Sequence, residues 1–157
     1  MILPEKMLAL INDMLELSKF EAGKMGLEKK EVDIAGTVME IVEIMSPLFK
    51  KRNIELVCDF QPAAKETNLS IDVEKIGQVI TNFLSNAAKF TPRQGNVTIK
   101  AFKTISNFVQ VSVTDNGPGV PPDKQEFLFD KYVQFNVGMK TKGTGLGLAV
   151  SKMIIEA

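Results

Sequence analysis

A chain of 157 residues, 45% of them hydrophobic, carries enough apolar material for one domain plus an appendage, yet no uninterrupted apolar run approaches membrane-spanning length. Lysine plus arginine and aspartate plus glutamate both total 19, so the formal net charge is zero, and no broad basic field exists to hold nucleic acid or an anionic membrane. Cys58 is the only cysteine, which excludes an intrachain disulfide and a cysteine-clustered zinc site. The absence of histidine removes Ser-His-Asp and Cys-His catalysis and most transition-metal sites.

The N-terminus lacks the basic and apolar regions of a signal peptide. Helical spacing of Met7, Leu10, Ile11, Met14 and Leu17, widened by Leu8 and Leu15, predicts a helix over 5–22, stopped by Gly23 and Gly26. So wide an apolar surface needs a partner, either the chain's own core or, as we favour, a bundle or dimer helix. A second helix starts at Asp33 as N-cap and buries Ile34, Val38, Ile41, Val42, Met45, Leu48 and Phe49. Pro47 bends its last turns, and Lys50-Lys51-Arg52 suits a helix C-terminus as a solvated, dipole-complementing end. Ile54, Leu56, Cys58 and Phe60 alternate with polar or outward residues as a half-buried strand. Gln61 to Thr67 is a polar loop, and Leu69 and Ile71 mark a short strand before a helix over Asp72 to Phe90.

Two strands follow, Asn96 to Lys103 and Phe108 to Thr114, joined by the turn Thr104-Ile105-Ser106-Asn107. Pro121-Pro122 opens a short helix through Tyr132. Asn136 to Lys142 has no periodicity and reads as a mobile loop. Leu146 to Ala157 is a last helix. There is no internal repeat.

Three features carry chemistry. On the Asp72 to Phe90 helix, Lys75, Gln78, Asn82, Ser85, Asn86 and Lys89 cluster opposite an apolar side. An ordinary solvated face has the same period, but it would prefer Glu, Lys and Arg, whereas asparagine is a mediocre helix former. Two asparagines one turn apart, with a lysine a turn further, read better as fixed ligands. Asp115-Asn116-Gly117-Pro118-Gly119 ends a valine-rich strand and taken alone is good hairpin-turn chemistry. Its functional reading has Asp115 accepting from a purine amino group while the glycines let a flat base approach. Lys142-Gly143-Thr144-Gly145-Leu146-Gly147-Leu148 fails as a dinucleotide fingerprint because only ten residues follow Gly147, and it lacks a P-loop ending. A glycine turn at a helix N-terminus remains, where free amides and the helix dipole favour anions.

In this order the motifs resemble those of sensor histidine kinases. Asn82-Phe83-Leu84-Ser85-Asn86-Ala87-Ala88-Lys89-Phe90-Thr91 is similar to their N box, Asp115-Asn116-Gly117-Pro118-Gly119 to their G1 box, Phe127-Leu128-Phe129-Asp130-Lys131-Tyr132-Val133-Gln134 to their F box, and Gly143-Thr144-Gly145-Leu146-Gly147-Leu148 to their G2 box. Leu10 to Lys24 resembles the end of the second helix of the dimerisation and phosphotransfer hairpin. Each glycine motif is weak, but four boxes in order behind that helix are specific; the alternatives are a serine kinase of the anti-sigma-factor type, which does not need that hairpin, and a non-catalytic nucleotide-binding or partner-docking module.

The resemblance implies residues 1–26 as the end of that hairpin helix with its linker, and 27–157 as an ATP-binding catalytic domain. That domain would be an α/β Bergerat-type sandwich with a mixed sheet on one side and helices on the other. It also implies Mg-ATP as ligand: Asn86 as magnesium ligand with Asn82 beside it, Lys89 near the phosphates, and Phe90 against the nucleotide. Asp115 would read adenine, Gly117 and Gly119 would shape that wall, and Tyr132 would contribute from the F box. Gly143, Thr144, Gly145, Leu146 and Gly147 would face the triphosphate, with 136–142 as lid and Lys140 or Lys142 as its positive charge. The implied partners are a histidine-bearing phosphotransfer hairpin and a downstream response regulator, with no nucleic acid. The parent would be a homodimer, free or membrane-anchored, with this part cytoplasmic and itself a monomer or weak dimer.

Three departures stand out. The chain has no phosphoacceptor histidine. It stops before the strands usual after the last helix, so the expectation is either a sheet that lacks an edge or a sequence that is a truncated product. The stretch between Gln134 and Gly143 is short for a lid, and Gln134 stands where many relatives carry arginine.

Overall fold

Asp33 opens the first long element of the domain by a local exchange of hydrogen bonds. Its carboxylate accepts the Ala35 N–H at 3.0 Å, which satisfies one of the amides that a helix leaves unpaired at its start, and its carbonyl accepts the Thr37 hydroxyl at 3.1 Å. The computed structural model describes residues 3–24, 26–61, 67–106, 108–134 and 143–157. Their backbone groups into two compact units, one of residues 28–119 and one of residues 1–27 with 120–157.

In the first unit, β1 (Lys30–Asp33) leads into α2 (Ile34–Lys51), then β2 (Glu55–Phe60), β3 (Asn68–Ile71), α3 (Val73–Phe90), β4 (Asn96–Lys103) and β5 (Val109–Asp115). A mixed three-stranded sheet runs β2-β4-β5, parallel between β2 and β4 and antiparallel between β4 and β5. Leu56, Cys58 and Phe60 alternate inward with Val97, Ile99 and Ala101 of β4, as their period of two requires. Helices α2 and α3 cover this face. Val38, Val42 and Phe49 from α2 meet Ile80, Leu84, Ala87 and Ala88 from α3 over Val97 and Ile99, forming one core between a helical layer and a sheet layer.

A second, two-stranded antiparallel sheet pairs β1 with β3, Val32 opposite Leu69. Strand β1 is an addition to the sequence-based reading. Its four residues, Lys-Glu-Val-Asp, offer no alternation long enough to recognise, and the pairing with β3 supplies its identity.

The second unit holds α1 (Leu3–Glu21), α4 (Pro122–Gln125) and α5 (Gly147–Glu156), with α1 packed against α5. Leu17 is buried, and Leu10 and Phe20 are half-buried on the same side of α1. Met7, Leu8, Ile11, Met14 and Leu15 stay exposed, with Ile11 at 48% and Leu15 at 55% of their accessible surface. The helix expected through Tyr132 is shorter than its spacing suggested. Only Pro122–Gln125 is helical, and turns continue to Tyr132, whose φ of 65° is incompatible with a right-handed helix. No helix among the described residues is long and apolar enough to cross a membrane.

Candidate functional site

Helix α3 is fixed at both ends. At its N-cap, Asp72 accepts the Lys75 N–H at 3.1 Å through one oxygen and the Glu28 N–H at 2.9 Å through the other. Partial burial would raise the Asp72 pKa, but the N–H groups of Glu28, Lys75 and Glu74 and the Lys75 charge outweigh it and hold the carboxyl below its usual range. At the C-terminus, the Arg52 guanidinium donates to the Lys89 carbonyl at 3.3 Å. The basic end of α2 thus holds the last turn of α3, a role beyond the solvated end expected for it.

Asn82, Asn86 and Lys89 are half-buried, and their spacing puts them on one face of the last three turns. Lys89 Nζ lies 4.7 Å from the centre of the Phe90 ring. The chain leaves α3 extended at Thr91, and β5 brings the glycine turn back to the same place. A Cβ on Gly117 would meet the Phe90 carbonyl oxygen at 3.0 Å, so only glycine lets the two backbones sit this close. Asp115 Oδ1 accepts the Gly117 N–H at 2.7 Å, closing the turn. Asn116 pins it to the start of β4: its side-chain oxygen accepts the Asn96 N–H at 3.0 Å, and its own N–H donates to the Asn96 carbonyl at 3.3 Å. Asp115 itself is exposed, at the open end of β5 instead of in a buried strand.

The second unit holds the other motifs. The Tyr132 N–H donates to the Gly145 carbonyl at 2.8 Å, and a Cβ on Gly145, whose φ is +73°, would lie 2.9 Å from the Tyr132 carbonyl carbon. The turn around Tyr132 and the glycine turn before α5 therefore form one interlocked backbone. Gln134 Nε2 donates to the Gly143 carbonyl at 2.8 Å. The Thr144 hydroxyl donates to Asp13 Oδ2 on α1 at 3.2 Å and accepts the Leu146 N–H at 3.3 Å. Burial pushes the Asp13 carboxyl up, with Glu16 adding to the rise and the Thr144 bond opposing it. Lys131 pairs with Glu21 of α1, and Lys152 Nζ stands 5.9 Å from the Phe129 ring centre. Leu146 is buried at the N-cap of α5 and gives no side-chain cap, so the first amides of that helix point to no side-chain acceptor of the cap residue.

Of the residues singled out in the sequence, Asn82, Asn86, Lys89, Phe90, Asp115, Gly117 and Gly119 lie in one unit. There the structure joins the end of α3 to the Asp115–Gly117 turn. Tyr132, Gly143, Thr144, Gly145, Leu146 and Gly147 lie in the other, around the start of α5. Lys142, Lys140 and the rest of 136–142 lie outside the described residues. The supporting contacts of Arg52, Asp13 and Gln134 were not anticipated. A helix-face aspartate carries no local signal for a partner 131 residues away. No group of three His, Cys, Asp or Glu side chains among the described residues could hold a metal ion. A divalent cation that takes most of its ligands from water and phosphate, with an amide oxygen such as that of Asn86, fits this donor set better than one needing a protein cage.

Residues 71–157 match the family model described as histidine kinase-, DNA gyrase B-, and HSP90-like ATPase. Over 148 residues the chain is 37% identical to the adaptive-response sensory kinase SasA of a Synechocystis species, covering 94% of this chain and 38% of that protein. It spans well under two thirds of the length of such relatives. Among solved structures, full-length ShkA in complex with AMPPNP superposes with a TM-score of 0.82 at 33% identity, over 94% of this chain and 30% of that one. The nucleotide-free catalytic domain of the histidine kinase ThkA gives 0.72 at 27% identity, over 83% and 81%. These likenesses bear out the α/β fold with its mixed sheet, and the matched model makes ATP the nucleotide in question. The chain belongs to the family of histidine kinase-, DNA gyrase B- and HSP90-like ATPases.

Proposed function

We propose that this chain is the catalytic module of a two-component sensor histidine kinase, binding Mg-ATP and passing its γ-phosphoryl group to a histidine on a phosphotransfer hairpin. The observation that carries the reading is the closure of the Asp115–Gly117 turn onto Phe90 at the end of α3, so close that a Cβ on Gly117 would lie 3.0 Å from the Phe90 carbonyl oxygen. The Asp115 turn and the helix that carries Asn82, Asn86 and Lys89 thus belong to one unit, which supports reading them as one site. Phosphoryl transfer asks the protein mainly for positioning and charge neutralisation, and these side chains supply both.

In this reading Asn86 gives magnesium its amide oxygen, with Asn82 beside it, and Lys89 faces the phosphates with its charge. Magnesium, when bound, supplies charge neutralisation at the phosphate oxygens. Phe90 lies against the nucleotide, Asp115 accepts from adenine, and Gly117 and Gly119 keep that wall flat. Thr144 and the amides of Gly143, Gly145, Leu146 and Gly147 face the triphosphate at the start of α5, where the helix dipole favours anions. Tyr132 braces that turn through its backbone, and Lys142 adds positive charge. The partners are the histidine-bearing hairpin and a response regulator, in a homodimeric parent whose catalytic part is cytoplasmic. Residues 1–26 belong to the hairpin helix and its linker, and 27–157 to the catalytic domain.

The test supplies a histidine-bearing hairpin to the chain with magnesium and γ-labelled ATP. Label should move to the hairpin, and Asn86→Ala should reduce transfer to near background while the circular dichroism of the fold is kept. Nucleotide binding without any transfer would instead make this a nucleotide-sensing module. Full magnesium-dependent transfer by Asn86→Ala would reduce Asn86 to a solvated helix residue.

A further inference from the structure

Thr144 has one hydroxyl proton, and it is spent on Asp13 Oδ2 of α1, 3.2 Å away. The Thr144 hydroxyl oxygen in turn accepts the Leu146 N–H at 3.3 Å, an amide immediately before α5. A half-buried carboxylate from another helix thus stands at the hydroxyl of the glycine turn. Glu21, two turns along α1 from Asp13, pairs with Lys131 in the turn that ends at Tyr132, and Leu17 is buried between the two acids. Tyr132 in turn holds Gly145 by its backbone. One side of α1 is therefore fastened to both turns of this unit. Asp13 is the anion of that fastening, and Glu16 one turn on adds a further negative charge near it.

We propose that Asp13 is an autoinhibitory positioning residue: its carboxylate holds the Thr144 hydroxyl and competes with the triphosphate for it. This rests on the reading that the Gly143–Gly147 turn receives phosphate. A polyphosphate arriving there meets a hydroxyl already donating elsewhere and a carboxylate of its own sign, within a partly desolvated setting where such repulsion is poorly screened. Nucleotide binding then requires the Asp13–Thr144 bond to open. By linkage, whatever draws α1 away from the turn tightens nucleotide binding by the same factor that nucleotide loosens α1.

Asparagine at this position keeps an acceptor oxygen for Thr144 and removes the charge. Magnesium-ATP, ADP and AMP are titrated calorimetrically against the full chain and against Asp13→Asn. The expected result is ATP bound about tenfold tighter by Asp13→Asn, ADP by less, and AMP within about twofold of the wild-type chain. A merely structural contact would move all three together or none. Asp13→Ser, which removes the charge by another route, should give the same order, and either variant folding and binding as predicted supports the proposal. Unchanged or weaker ATP binding by both overturns it. A wild-type chain that binds no ATP overturns the nucleotide reading itself, a different failure from equal binding by wild type and variants.

Discussion

Asp115 does two jobs with one carboxylate. Its Oδ1 accepts the Gly117 N–H at 2.7 Å and so builds the turn that approaches Phe90. An ionised carboxylate offers about four lone-pair sites, so acceptor capacity remains for a base. It can take a hydrogen bond from the adenine amino group but offers nothing to the guanine oxygen, and the site should prefer ATP to GTP. A hydrogen bond to a charged group is worth about 1.5–3 kcal/mol, or one to two orders of magnitude in affinity. Asp115→Ala should lose that from ATP and ADP alike, since the contact ignores the γ-phosphate, and should also loosen the turn. Asp115→Asn separates the two jobs: it keeps an oxygen for Gly117 and presents an amide that can donate to guanine, so its preference over GTP should shrink while its melting temperature holds. Nucleotide titrations of both variants check this. Equal affinity of the wild-type chain for ATP and GTP would leave Asp115 as a turn residue only. The type of residue here was readable from the sequence, because Asp-Asn-Gly is unmistakable turn chemistry. Its exposure was not, because the end of a strand is buried or open according to what packs over it.

Among the elements, the long helices were legible and the short ones were not. In α2 and α3 an apolar side repeats for 18 residues each, and Asp33 marks a start by its own local bonds. Strand β1 and the turns after α4 take their form from distant partners, β3 in one case and Gly145 in the other. The N-cap of α3 lies between these extremes. Asp72 caps Lys75 locally, yet its second oxygen reaches Glu28, 44 residues back. Asp72→Ala should therefore cost about 1 kcal/mol as a lost cap, lowering the melting temperature by about 2–4 °C. Asp72→Asn, which keeps cap oxygens, should cost less. The pKa gives the sign of the pH effect. Asp72 is held below its usual value in the folded chain, so its stabilisation is complete above the unfolded pKa of about 4 and drains away as pH falls through the lower folded value. Thermal melts of wild type and Asp72→Asn should differ most near neutral pH and converge on acidification below about pH 4. A gap that widened there would mean that the Glu28 amide and the cap do not favour the charged form.

The chain as a whole carries 157 residues and no histidine, and that single compositional fact limits its chemistry more than any contact does. Two compact units provide the motif residues, α3 with its glycine turn in one and the start of α5 in the other, and neither contains the side chain that the proposed reaction phosphorylates. Incubated alone with magnesium and γ-labelled ATP, the chain should bind nucleotide and take up no acid-labile, base-stable label, since phosphohistidine requires an imidazole nitrogen to form on and the chain has none. Serine and threonine hydroxyls remain, so the negative result is informative in both directions. Label on the chain that survives acid and is lost in base would be a phosphate ester, and it would favour kinase chemistry of the anti-sigma-factor serine type over histidine transfer. Acid-labile label on the isolated chain would require an acceptor other than histidine and would overturn the reading of this sequence as a catalytic part separated from its substrate. Adding a hairpin that bears a histidine should restore acid-labile label on the hairpin alone, and replacing that histidine with glutamine should abolish it. The label then follows the one nucleophile that the chain lacks.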